Sequence, residues 1–328
     1  MQSPSHESRP DANRSMEKSA YWFADGNVIL QAGDRGFRIH TSLLSRHSVF
    51  FRELFELPQT SPEMIDGCVV VQVHDPPGDI EILLSALYDG CTFNVGAKNR
   101  LPFSTVACLI RLGHKYQMES ILTGAISRLK TCFPALYADA CMLRNRRSSY
   151  MSFKDEDAVA VVNLARLTQT GIVLPGALFV CALLPNELLL HGVPRGDGTM
   201  ERLAPEDIVR CLNGRECLVR AARTRFEWLL LEDMYTSDDC SQEEECQPAM
   251  ERMAKDIARQ GLLSNIDFLN VMLAGQHETN NMCVSCRQML DDDDNNVCVY
   301  IWSNLPEYMG VPVKDWGKPD AQDVPIES

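Results

Sequence analysis

Residues 40–55 read HTSLLSRHSVFFRELF. Thr41 or Ser42 is placed to cap a helix, because a short oxygen-bearing side chain accepts a backbone N–H that has no partner inside the first turn. Leu43 and Leu44 follow as its first apolar residues. A second helix is expected from Ser48 to Glu56, with Phe50, Phe51, Leu54 and Phe55 on its buried side. Two short helices back to back, the second this aromatic, need a sheet or further helices to cover them.

Upstream, Asn27 to Gln31 is a β-branched apolar run after Asp25-Gly26, and Ala32 to Gly36 reads as a turn. Phe37 to Ile39 resumes the strand, which makes a hairpin. Downstream, Pro58 to Gly67 reads as a loop and Val69 to Val73 as a strand, punctuated by Asp75-Pro76-Pro77-Gly78. Ile80, Leu83, Leu84 and Leu87 then recur at i, i+3, i+4 and i+7, a helical stripe. Val106, Leu109 and Ile110 start another helix, and Met118, Ile121, Leu122, Ala125, Ile126 and Leu129 mark one more.

This ordered set resembles the BTB/POZ family. The matching residues are Asp25-Gly-Asn-Val28, Phe37-Arg-Ile-His40, Leu43-Leu44, Ser48-Val-Phe-Phe51-Arg-Glu-Leu54-Phe55, LLSALYDG at 83–90 and LIRLGHKYQM at 109–118, where Gly113 and His114 depart from the family pattern. The resemblance implies an α+β fold: a small mixed sheet flanked by helices over residues 20–133, acting as a non-catalytic protein–protein interaction module. It also implies that His40 is structural, at a helix start, and that the domain homodimerises or recruits a partner. Trp302-Ser-Asn-Leu305-Pro306, Gly310-Val-Pro312 and Trp316, with Asn213-Gly214-Arg215 and Phe226-Glu-Trp228-Leu229, resemble the ending of BTB proteins abundant in mushroom-forming fungi.

Beyond residue 133 the pattern is mostly helical. Residues 134–157 read as a linker with an exposed hinge at Arg144 to Ser149, and 158–328 as a helical domain with acidic loops. Ala158, Val161, Val162 and Ala165 are helically spaced, and Leu174 to Leu184 is apolar all round, bounded by Pro175 and Pro185. A long helix is expected from Pro205 to Leu231, and another starting at Pro248 with Met250, Met253, Ala254 and Ile257 on one face. Met1 to Ser19 reads as a disordered tail without the apolar centre of a secretory signal.

The net charge of −14 is concentrated: residues 231–328 hold six Lys and Arg against twenty Asp and Glu. Glu232 to Glu245 and Asp291 to Asp294 carry the acidic clusters, expected as solvated loops. That balance argues against nucleic acid as a partner of this region, since phosphates need a basic footprint. The arginines of 202–225 are expected on an exposed helix face or paired with the acidic final third. No run of about eighteen apolar residues occurs, so no membrane partner is expected. Nucleotide-binding, zinc-protease and nucleophile-elbow motifs are absent, which lowers the case for an enzyme.

Most of the thirteen cysteines, such as Cys108, Cys181 and Cys211, lie in apolar helical patterns and read as buried thiols in a reducing compartment, cytoplasmic or nuclear. Two pairs stand apart: Cys240-x5-Cys246 and Cys283-x2-Cys286, separated by a helix. Four thiolates can hold Zn²⁺ tetrahedrally, and a C-x2-C turn aims two sulfurs at one ion. Structural zinc at Cys240, Cys246, Cys283 and Cys286 is therefore one reading and free thiols the other; Cys217 or Cys298 can replace one ligand. Tyr21, Trp22 and Phe23, with Phe50, Phe51 and Leu54, are the candidate interaction residues. Families that bind a cullin carry a hydrophobic-x-Glu element after this helix. Here Leu54-Phe-Glu56 fits only inside the helix, so a cullin-adaptor role is the alternative reading.

Overall fold

The computed structural model describes residues 16–58, 62–90, 99–195, 198–227, 236–270 and 281–318. The chain divides into two compact units: Met1–Ala97 with Cys108–Ala125, and Lys98–Ala107 with Ile126–Ser328.

The first unit is built on strands β1 (Glu17–Trp22), β2 (Val28–Ala32) and β3 (Arg35–Ile39), helices α1 (Thr41–His47) and α2 (Val49–Glu56), strands β4 (Met64–Ile65) and β5 (Cys68–Val73), and helix α3 (Pro77–Tyr88). A short strand β6 (Leu101–Pro102) leads into α4 (Phe103–Lys115) and α5 (Glu119–Cys132). The sheet order is β1-β3-β2-β5-β4. β2 and β3 form the expected antiparallel hairpin, turning at Gly33, whose φ of +58° suits a residue without a Cβ. β2 also pairs in parallel with β5, Val28 opposite Val69 through Ala32 opposite Val73. A central strand is covered on both faces, and Val28, Ile29, Leu30 and Ala32 are accordingly all buried.

Two joints fix the helices. Ser48 caps α2: its Oγ accepts from the Phe51 N–H at 3.0 Å and donates to the Tyr116 carbonyl at 2.5 Å. Phe51 stacks on the Tyr116 ring with centroids 4.8 Å apart. Gly113 lies where a Cβ would meet the Leu122 backbone nitrogen at 3.1 Å, so α4 and α5 approach closely there. The departure from the family pattern at Gly113 thus has a packing reason. His40, rather than Thr41 or Ser42, occupies the N-cap of α1, with no side-chain cap hydrogen bond. The Thr41 N–H instead donates to Asn27 Oδ1 at 2.9 Å. Glu17 to Ser19, expected in a disordered tail, belong to β1, which pairs in parallel with β3; residues 1–15 of that tail lie outside the described residues.

The second unit continues with α6 (Ala140–Arg144), β7 (Met151–Ser152), α7 (Asp157–Leu167), α8 (Leu174–Leu183), α9 (Asn186–His191), β8 (Val193–Pro194), β9 (Met200–Glu201), α10 (Pro205–Glu227), α11 (Glu243–Arg259), α12 (Val284–Ser303) and α13 (Leu305–Tyr308). The stretch expected as a linker contains α6 and β7, and Leu143, Met151 and Phe153 are buried. β7 pairs with β6, and Arg128 donates to the Asn99 and Tyr150 carbonyls, so this stretch is stitched into the unit. The apolar-all-round α8 is buried along nearly its whole length. Arg215 donates to the Ala182 and Leu184 carbonyls at the end of α8, and Arg202 to the His191 carbonyl at the end of α9. These two arginines complete helix C-termini. Trp302 is buried, donates to the Ala135 carbonyl at 2.8 Å and stacks on Trp316. Trp228, Leu229, Leu230, Glu232 and Asp233 lie outside the described residues.

Candidate functional site

Two helix starts build the cysteine cluster. α11 begins at Glu243, five residues before the expected Pro248, with Glu243, Glu244 and Glu245 in its first turn, where carboxylates suit the positive end of a helix. The Gln242 carbonyl closes that turn, accepting from Glu245 and Cys246. Cys240 sits just before α11, in a turn closed by its own N–H to the Ser237 carbonyl at 2.8 Å. Cys246 is inside the helix and fully buried. α12 begins at Val284 with Cys283 as its N-cap, its sulfur accepting from the Cys286 N–H at 3.4 Å. The Cys283 N–H in turn donates to Cys246 Sγ at 3.2 Å.

The four ligand atoms of Cys240, Cys246, Cys283 and Cys286 lie within 4.8 Å of one another, and the sulfurs of Cys240 and Cys283 are 3.8 Å apart. Zinc–sulfur bonds of about 2.3 Å place tetrahedral sulfurs about 3.8 Å apart, whereas a disulfide needs about 2.05 Å. The cluster has the donor chemistry and the spacing of a metal centre. Cys246, Cys283 and Cys286 are buried and Cys240 is half-buried. Backbone N–H groups, those of Cys286 and Ser241, pull the Cys283 thiol down to about 6. Burial pushes the Cys246 and Cys286 thiols up. A cation at the centre opposes that burial cost, because a coordinated thiol is deprotonated outright.

Beneath the cysteines lies a small core of Ala249, Met250, Met253, Ala254, Ile257, Met282 and Leu290, with Leu262 and Met289 packed against it. The cluster therefore closes one end of the α11–α12 packing. Cys217 and Cys298 are not members: Cys217 receives a contact from Arg220, and Cys298 is buried and faces the Phe268 carbonyl. The run Asp291 to Asp294, expected as a loop, lies inside α12. Asp291 and Asp292 are exposed, while Asp293 and Asp294 are half-buried. The helix continues through the run because Cys286 and Leu290 before it and Cys298, Ile301 and Trp302 after it are buried.

The aromatic candidates divide. Phe51 is fully buried and so belongs to the core rather than to an interaction surface. Leu54 is half-buried on α2, and Phe50 is 39% exposed beside Val49 at 38%. Tyr21 and Trp22 end β1, an outermost strand of the sheet. Trp22 packs on the face formed by Ile29, Cys68 and Val70. Phe23 stacks on Tyr88 at 4.7 Å, and Tyr21 donates to Asp89 at 2.7 Å. Tyr88 also holds His40: its oxygen accepts from the His40 backbone N–H at 3.1 Å and lies 3.0 Å from Nδ1. With Nε2 3.3 Å from Asp25, both ring nitrogens are engaged, which is a structural role.

Residues 20–131 match the family model described as BTB/POZ domain, from within β1 to the last turn of α5. No curated protein matches the chain. BTB/POZ domains form a protein–protein interaction family, and the mixed sheet with its helices has the α+β architecture expected of one.

Proposed function

We propose that this chain is a non-catalytic interaction protein that self-associates through its BTB/POZ domain and recruits other proteins. The observation that carries the reading is the family match over residues 20–131, within which the Ser48 and His40 joints hold the helices in place. Two surface features support self-association. Among the described residues β1 pairs with β3 alone, which leaves its outer edge open to a further strand. Val49 and Phe50 present exposed apolar surface on α2. Co-expression of two differently tagged copies tests this: capture of one tag brings down the other, and failure to do so contradicts it.

The second unit carries, on this reading, a structural zinc ion held by Cys240, Cys246, Cys283 and Cys286. The four convergent sulfurs support it, as does the small size of the core that they close. Four thiolates and one Zn²⁺ leave two negative charges, which the N-termini of α11 and α12 offset. A reducing compartment, cytoplasm or nucleus, keeps those thiols available. Elemental analysis of protein purified without chelator should find about one zinc per chain, since one four-thiolate site takes one ion; metal-free protein contradicts the zinc reading alone.

A further inference from the structure

Resting on that zinc reading, we infer that the centre is an oxidant-sensitive switch whose reactive pair is Cys240 and Cys283. Three observations single out this pair. Cys240 is the one of the four that is half-buried rather than buried, so a small oxidant reaches its sulfur first. Its sulfur lies 3.8 Å from that of Cys283. Cys240 sits in a turn outside α11, whereas Cys246 and Cys286 lie inside helices and have no exposed surface. Drawing the two sulfurs together to about 2.05 Å asks a turn, and not a helix, to move.

The step is a two-electron oxidation by a peroxide. One sulfur attacks the O–O bond and becomes a sulfenic acid, and the second displaces its oxygen as water. Overall two thiolates and hydrogen peroxide, with two protons from solvent, give one disulfide and two waters. The zinc then keeps two donors of four and leaves as Zn²⁺, while the Cys246 and Cys286 thiolates take up protons. The 43-residue separation of Cys240 and Cys283 means that the new covalent bond still ties the start of α11 to the start of α12. Oxidation thus exchanges a metal brace for a covalent one, and a thiol reductant with zinc restores the first.

The full chain, zinc-loaded and freed of reductant, is titrated with hydrogen peroxide while a chromogenic chelator reports free zinc. The wild type should release its zinc and yield a linked peptide joining Cys240 to Cys283. Cys240→His keeps four donors in a Cys3His set and removes one thiol of the pair, so it should hold its zinc at the peroxide dose that empties the wild type. If that variant misfolds, the peptide map of the wild type still decides. Zinc-loaded wild type that keeps its metal through excess peroxide, or a disulfide joining a different pair, overturns the switch and leaves the zinc reading standing. Protein that never carries zinc overturns both.

Discussion

Cys283 caps α12 with its sulfur and, through its backbone N–H, donates to the sulfur of Cys246 in α11. One residue therefore locks two helix N-termini to each other and to the other thiols, with the packing of Met250, Met253 and Leu290 behind it. Cys283→Ser with Cys286→Ser should abolish zinc binding and raise backbone hydrogen exchange across α11 and the first turns of α12. Exchange in β2, β3 and β5 should stay at its wild-type level, because those strands belong to the other compact unit. Equal loosening of both units would contradict the assignment.

Ser48 is 1% exposed and serves two partners, so Ser48→Ala deletes a cap and leaves the Tyr116 carbonyl without its donor. A loss of about 1–2 kcal/mol in chemical denaturation is expected. An unchanged midpoint would mean that the joint between α2 and the end of α4 carries no stability.

Tyr116 gives a pH-dependent counterpart. Burial, and next the Asp75 carboxylate that accepts its hydroxyl, hold its phenol well above the ordinary 10.0. The folded state therefore binds this proton more tightly than the unfolded one. Its contribution is fully present below pH 10 and is lost as pH rises, where the unfolded phenol ionises first. Tyr116→Phe should make stability fall less steeply above pH 10 than in the wild type, by denaturation series at fixed ionic strength; parallel curves would contradict it.

Much of this was readable in the sequence because periodicity and cap chemistry act locally. The β2–β3 hairpin, the α2 aromatics and the stripe of α3 all declare themselves within a few residues. β1 did not, because EKSAYW mixes charge with aromatics and becomes a strand only by pairing with β3. The acidic run of α12 reads as a loop from its four aspartates, yet the buried residues on either side of it determine the helix. Pro248 reads as a helix start, but the three glutamates ahead of it already occupy the first turn of α11. The C-x2-C half of the cysteine cluster was legible because one helix start supplies both sulfurs. The looser Cys240–Cys246 spacing bridges a turn and a helix, so its convergence depends on tertiary packing. Phe51 could not be told from Phe50 by type: both rings lie beside Tyr116, far along the chain, and only the tertiary packing buries Phe51 fully.

Light scattering on the full chain at tens of micromolar tests the central claim most directly. Self-association through the BTB/POZ domain predicts twice the chain mass of 36.8 kDa. Aspartate at Val49, which is 38% exposed, should shift the mass toward that of a single chain if α2 contributes to the contact. A wild-type protein that stays at the mass of one chain over that concentration range would contradict self-association.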